Sequence, residues 1–249
     1  MCRELETVFR RNDIDFDWVL YSGYDAMVDA FVRKEIDIAW NGPLSYVKIR
    51  RALGEDCRNL IMRDVDVNFT TQFITYPDSE ITTVEDLQGK RFAFGARSSV
   101  EAGVLAYHYL KDSGIVPQRD LAACTFFDER QPSSLTDQRD VIDRVLKREY
   151  DAGAVSRRTL DVLEEQGTFD KDEIRVFWTS PGYSHCCFTA HSDLDAKTSK
   201  EVADAFLAID PKDPSGKAVL EAEACEYFVP GISDGWDILE KVAEEEGLI

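Results

Sequence analysis

The 249-residue sequence has no apolar run approaching the ~20 residues that cross a bilayer, which excludes a helical membrane span. It is short of positive charge, with 29 Lys and Arg against 48 Asp and Glu. A phosphate backbone is held by clustered cations, so a formal charge of −19 argues against a nucleic-acid partner. The same acidity fits solubility or a saline habitat and names no ligand. Cys2, Cys57, Cys124, Cys186, Cys187 and Cys225 form no CxxC pair and no regular spacing. That speaks against a zinc site or disulfide framework and for a reducing, cytosolic setting. Phosphate loop, dinucleotide fingerprint, Ser-His-Asp order and paired catalytic carboxylates are all missing, so no catalytic residue, metal or cofactor is expected. Met1 to Glu6 are charged where a secretory peptide is apolar, and as written the chain reads as cytoplasmic.

What is present is a globular composition, 44% hydrophobic and 11% aromatic, enough for one large domain or two lobes. Short apolar runs alternate with amphipathic stretches. The pattern predicts a helix around Leu5 to Phe9, strand 16–21, helix 24–34, strand 36–40, helix 44–53, then strands 59–63 and 69–76. Thr82 to Glu85 has capping-box spacing and starts a short helix that Gly89 ends. Strands 91–94, 122–127, 151–155 and 174–178 follow, interleaved with helices 99–112, one running on from the polar loop 128–136 to Arg148, and 159–166. The C-terminal part reads as three helices. Such alternation implies α/β architecture with mostly parallel sheets flanked by helices.

Two junctions stand out. Asp37 to Tyr46 (DIAWNGPLSY) is a buried-strand pattern that breaks at Asn-Gly-Pro and restarts as a helix, and Phe92 to Ser99 repeats the arrangement. Turns of this kind leave backbone N–H groups free to hold a small anion.

The succession DIAWNGPLSY (37–46), TTVEDLQGKRFAF (82–94), YDAGAVS (150–156), IDPKDPSGKAVLEAE (209–223) and FVPG (228–231) resembles the phosphate/phosphite/phosphonate-binding proteins of ABC transporters. The resemblance implies a type 2 periplasmic-binding-protein fold. Its two lobes would be residues 1–77 with 180–249, and 78–179, joined by crossovers near Thr75 to Pro77 and Thr179 to Pro181 around a ligand cleft. It implies hinge closure on a small oxyanion, no chemistry, and an ABC permease as partner. The chain departs from the family in four places. It starts inside the first helix, without the first strand or a signal peptide; Phe69 replaces a common Tyr; and SSVEAG (98–103) replaces a serine-threonine run. A truncated N-terminus would make the protein periplasmic or extracellular, and the missing strand would leave an edge open to self-association.

Carried over position by position, the resemblance implies ligand contacts from Tyr24, Asn41, Gly42, Thr70, Thr71, Ser98, Ser99, Glu101, Ser156 and His185. Ser98 and Ser99 read as hydroxyl donors at a helix start or as a plain N-cap. Tyr24 reads as a phenol donor or an aromatic staple. Glu101 would repel an anion or bind a cationic part of the ligand. Asp151 reads as a strand-start or capping residue. The alternative to a binding protein is a cytosolic enzyme on the same fold, of dehydratase or thiamin-pyrimidine-synthase type.

Overall fold

The computed structural model describes residues 2–54, 56–130 and 134–249, so part of the expected polar loop, 131–133, lies outside the described residues. Contacts group the chain into two units, residues up to Asn68 with Tyr183–Glu240 and Ile249, and Phe69–Gly182 with Lys241–Leu248. The first unit opens with α1 (Cys2–Arg11), α2 (Tyr24–Val32), β1 (Ile38–Asn41), α3 (Pro43–Leu53) and β2 (Cys57–Arg63). The second runs through β3 (Thr71–Thr75), β4 (Arg91–Ala93), α4 (Leu105–Asp112), α5 (Pro117–Asp120), β5 (Ala123–Thr125), α6 (Asp137–Leu146), β6 (Ala152–Ser156), α7 (Arg157–Glu165) and β7 (Arg175–Thr179). The chain then returns to the first unit as β8 (Cys187–His191), α8 (Ala196–Leu207), α9 (Pro214–Glu223) and β9 (Phe228–Pro230). The last helix, α10 (Trp236–Glu245), begins in the first unit and ends in the second.

The first sheet has strand order β1-β8-β2-β9 and the second β5-β4-β6-β3-β7. In the second, β4 runs parallel to β5 and β6, while β3 pairs antiparallel with β6 and β7. The first is antiparallel at every ladder, unlike the mostly parallel sheet expected, because β8 returns from the second unit and inserts between β1 and β2. β3 hydrogen-bonds within the second sheet, so the contact boundary falls before it, whereas the expected lobe boundary at residue 77 falls after it.

Both cores are aromatic. Phe9, Phe188, Phe206 and Phe228 interlock in the first unit, and Phe73, Phe92, Phe94 and Phe126 in the second. Each such ring contributes about 1.5–3 kcal/mol by leaving water. The run Ala152–Ser156 is buried throughout, as a central strand covered on both faces must be.

Two expected elements differ. Residues 16–21 alternate like a strand but join no sheet among the described residues, and Trp18, Val19 and Leu20 are 40%, 60% and 75% exposed. Alternation makes a strand only where a ladder forms, and β1 is hydrogen-bonded to β8 alone among the described strands. A cavity of about 830 Å³ lies along β1 and this segment, lined by Phe9, Phe16, Leu20, Ile38, Trp40 and Phe206 among others. The short helix expected from the capping box at Thr82 to Glu85 is a single 3₁₀ turn, Glu85–Leu87. Asp86, within that turn, reaches back to accept the N–H groups of Thr82 and Thr83 (both 2.9 Å), and these bonds lower its pKa to about 2.

Asp151 joins the starts of β4 and β6, accepting from the Arg91 backbone N–H (2.8 Å) and from its guanidinium (2.8 and 3.1 Å). The side-chain bonds to Arg91 hold its carboxyl below the ordinary value, against burial. The folded state therefore favours the ionised form. Its contribution is complete above the ordinary carboxylate pKa and is lost as pH falls through the lower folded value. Urea unfolding across the acid range should show a shallower loss for Asp151→Asn than for the wild type. Identical pH slopes would mean that the pair does not contribute.

Candidate functional site

In the second unit the strand-to-helix turn after β4 is built by backbone crowding. A Cβ on Gly103 would lie 2.2 Å from the Ala96 carbonyl oxygen, and one on Gly95 would lie 2.6 Å from the Ala102 Cβ, so both positions need glycine. The turn enters a π-helical stretch, Val100–Val104, with Val104 N–H donating to the Ser99 carbonyl (2.8 Å). Such wide turns are rare and concentrate at functional sites. Two carboxylates shape it from outside: Asp137 accepts the Ala96 N–H (3.1 Å) and Asp128 the Arg97 N–H (2.7 Å). Ser98 is exposed and Ser99 half-buried, and neither hydroxyl has a hydrogen-bond partner among the described residues. Ser99 makes no side-chain cap, so the plain N-cap reading does not describe it.

Glu101 is held from two sides. Its carbonyl accepts from the Thr71 hydroxyl (2.8 Å) and its carboxylate from the Gln138 amide (2.6 Å). The same Gln138 accepts the Ser156 N–H through its oxygen (2.7 Å). Thr71 and Ser156, both expected as ligand contacts, thus make hydrogen bonds within the unit. The Thr71 hydroxyl is spent on Glu101, and Ser156 is fully buried as the N-cap of α7, accepting the Thr159 N–H (3.0 Å). Thr70 differs, since its hydroxyl is buried with no partner among the described residues.

In the first unit, Asn41 at the end of β1 pairs with Cys187 at the start of β8, which brings Asn41, Gly42 and His185 to one end of the sheet. The Asn41 amide donates to the Cys187 sulfur (3.3 Å), and its oxygen is buried with no partner among the described residues. Gly42, the N-cap of α3, has open space where a side chain would stand, leaving the helix start approachable. Tyr24 begins α2 and is 68% exposed, so it is not the packed staple; it borders the cavity along β1.

The His185 backbone N–H donates to the Asp66 carbonyl (2.9 Å), and the ring Nδ1 lies 3.3 Å from Asp66 Oδ1 and 3.1 Å from Cys186 Sγ. Arg63 grips Asp66 in a fork, Nε to Oδ2 at 2.6 Å and Nη2 to Oδ1 at 2.9 Å. Burial pushes the Asp66 carboxyl up, but the bonds from His185 and Arg63 outweigh it and leave the carboxyl below its ordinary value. Burial raises Glu223, beside Arg63. Asp66, Arg63 and Gln138 were invisible in the sequence, because Asp66 meets His185 across 119 residues and Gln138 meets Glu101 across 37.

Chemically, the second unit offers two rotatable O–H donors at a helix start, and the first a buried amide, an open helix N-terminus and an imidazole. No strained nucleophile or carboxylate pair accompanies them among the described residues. The described helices include none long and apolar enough to cross a membrane.

Residues 4–234 match the model of the family described as ABC transporter, phosphonate, periplasmic substrate-binding protein. The chain is 21% identical over 243 residues to a probable ABC-transporter phosphite-binding protein, PhnD1, of Prochlorococcus marinus, covering 94% of this chain and 79% of that one. The structure of PhnD1 in complex with methylphosphonate superposes with a TM-score of 0.72 at 22% identity, over 100% of this chain and 91% of the other. A binding-protein component of an ABC phosphonate transporter from Pseudomonas aeruginosa gives 0.66 at 14% identity, over 98% and 79%.

Proposed function

We propose that this chain, which belongs to the family of periplasmic substrate-binding proteins of phosphonate ABC transporters, holds a small phosphorus oxyanion and presents it to a membrane permease. The family is one of binding proteins rather than enzymes, and the enzyme alternative falls with that membership. The observation that carries the ligand class is the pair of unengaged hydroxyls, Ser98 and Ser99, at the start of a helical turn, where backbone dipole and O–H donors converge. Thr70, Asn41, Gly42, Tyr24 and His185 are proposed to complete the contacts. Glu101, fixed by Gln138, favours a ligand that offers it a P–OH proton or a cationic arm over a fully ionised phosphate. Working beside a permease places the protein outside the cytoplasmic membrane.

Titration calorimetry with phosphite, methylphosphonate, phosphate and sulfate tests this. Saturable binding of phosphite or methylphosphonate and none of sulfate is expected; no binding of any phosphorus anion would overturn the reading. Hinge closure is proposed to accompany binding, and small-angle scattering should then show a smaller radius with the bound anion. A constant radius at saturation would sink the closure.

The open edge of β1 is proposed as a route to self-association. Asp15, Asp17 and Asp37 border the cavity beside that edge, so two copies repel at low ionic strength. Sedimentation should show dimerisation rising with salt as that repulsion is screened. A monomer at every salt concentration would remove the proposal.

A further inference from the structure

We propose that Asp66, His185 and Cys186 form a binding site for a borderline-soft divalent cation, Zn²⁺ or Co²⁺, in the first unit. The three ligand atoms, Oδ1, Nδ1 and Sγ, lie within 4.8 Å of one another. Nδ1 is 3.3 Å from Oδ1 and 3.1 Å from Sγ, close to the ~3.3–3.8 Å edges of a tetrahedron whose metal–ligand bonds are about 2.0–2.3 Å. A cation between the three atoms takes one lone pair from each of the imidazole, the carboxylate and the thiolate.

The carboxylate is prepared for that role. Arg63 holds Oδ2 through Nε at 2.6 Å and Oδ1 through Nη2 at 2.9 Å, and the Cys186 backbone N–H approaches Oδ1 at 3.2 Å, which fixes the orientation of Oδ1 before any ion arrives. Ligand carboxylates are commonly anchored by such outer hydrogen bonds. Arg63 also opposes a cation by charge, and the structure sets a second acid against it. Glu223 Oε2 lies 3.8 Å from the guanidinium, and Oε1 is buried with no partner among the described residues. One nitrogen, one sulfur and one oxygen donor suit zinc or cobalt and disfavour calcium or magnesium, which take oxygen alone. Asp66 is fully buried, but His185 keeps 15% exposure, which provides the path from solvent. On binding, the Cys186 thiol releases its proton to solvent, the imidazole carries its hydrogen on Nε2, and three protein ligands leave the fourth tetrahedral position open to water or an anion.

The inference is independent of which oxyanion the protein carries. Its test is titration of the intact, chelator-treated protein with cobalt(II). A thiolate-to-cobalt charge-transfer absorption saturating at one equivalent, bleached by zinc, is expected. Cys186→Ser should abolish it and Cys124→Ser, at a cysteine in the second unit, should keep it, with melting curves confirming that both variants fold. Should Cys186→Ser fail to fold, His185→Ala serves, with at least a tenfold weaker cobalt affinity expected. No charge-transfer band in the wild type, a band that survives Cys186→Ser, a band lost in Cys124→Ser, or an unchanged affinity in His185→Ala each overturns the site.

Discussion

Replacing Asp140 with alanine is expected to lower stability by about 3–5 kcal/mol, the usual effect of stripping one partner from a buried ion pair. Arg130 and Asp140 are each 3% exposed and meet at 2.7 Å, while Arg144 reaches the same oxygen at 3.0 Å. Removing the carboxylate strands a guanidinium whose pKa burial already pushes down. Arg130 also donates to the carbonyls of Phe94 and Thr125, both at 2.9 Å, and so ties together the ends of β4 and β5 where the Gly95 turn begins. The loss should appear as a melting transition lower by roughly 6–20 °C. The double replacement Arg130→Met with Asp140→Ala should recover part of it, because no buried charge then lacks a partner. A decrease in the single variant below about 1 kcal/mol, as for an exposed pair, would contradict the buried-pair account.

The second large effect concerns the ligand. Ser98→Ala and Ser99→Ala should each weaken methylphosphonate binding by about 1.5–3 kcal/mol, roughly tenfold to more than a hundredfold, with little change in melting temperature. The separation of the two readouts follows from the structure, since neither hydroxyl bonds to the described protein and nothing in the fold is lost with it. Thr71→Ala provides the contrast. Its hydroxyl supports the Glu101 carbonyl, so stability and affinity should fall together there. If calorimetry returns wild-type affinity in both serine variants, the oxyanion lies elsewhere.

Local chemistry made much of the fold legible. Asn41-Gly42-Pro43 announces a strand ending in a helix start, and the run Ala152 to Ser156 a central strand, because chain geometry and burial act over a few residues. The same signals misread residues 16–21, where alternation records a preference for pairing and says nothing about whether an edge is in reach. Among the residues expected at the site, the strand-to-helix turn carrying Ser98 and Ser99 was readable from local sequence, whereas the bonds of the Thr71 and Ser156 hydroxyls to Glu101 and Thr159 were not. Hydroxyl residues at strand ends serve ligands and backbones alike, and only the partner decides. Arg63, Asp66, Gln138 and Asp140 gave no sequence signal, because a charge acquires its role from what the fold sets against it.

The order β1-β8-β2-β9 also constrains the chain while it is being made. β1 and β2 leave the ribosome early, yet they are not neighbours, since the strand that joins them starts at Cys187. Until then the N-terminal segment has helices but no finished sheet to pack them on, whereas the strands from β3 to β7 emerge as an uninterrupted block able to close their own sheet. Co-translational order is thereby inverted, with the middle of the polypeptide structured ahead of its beginning. During that interval the apolar faces of α1 and β1 depend on chaperones or a rapid elongation rate for protection.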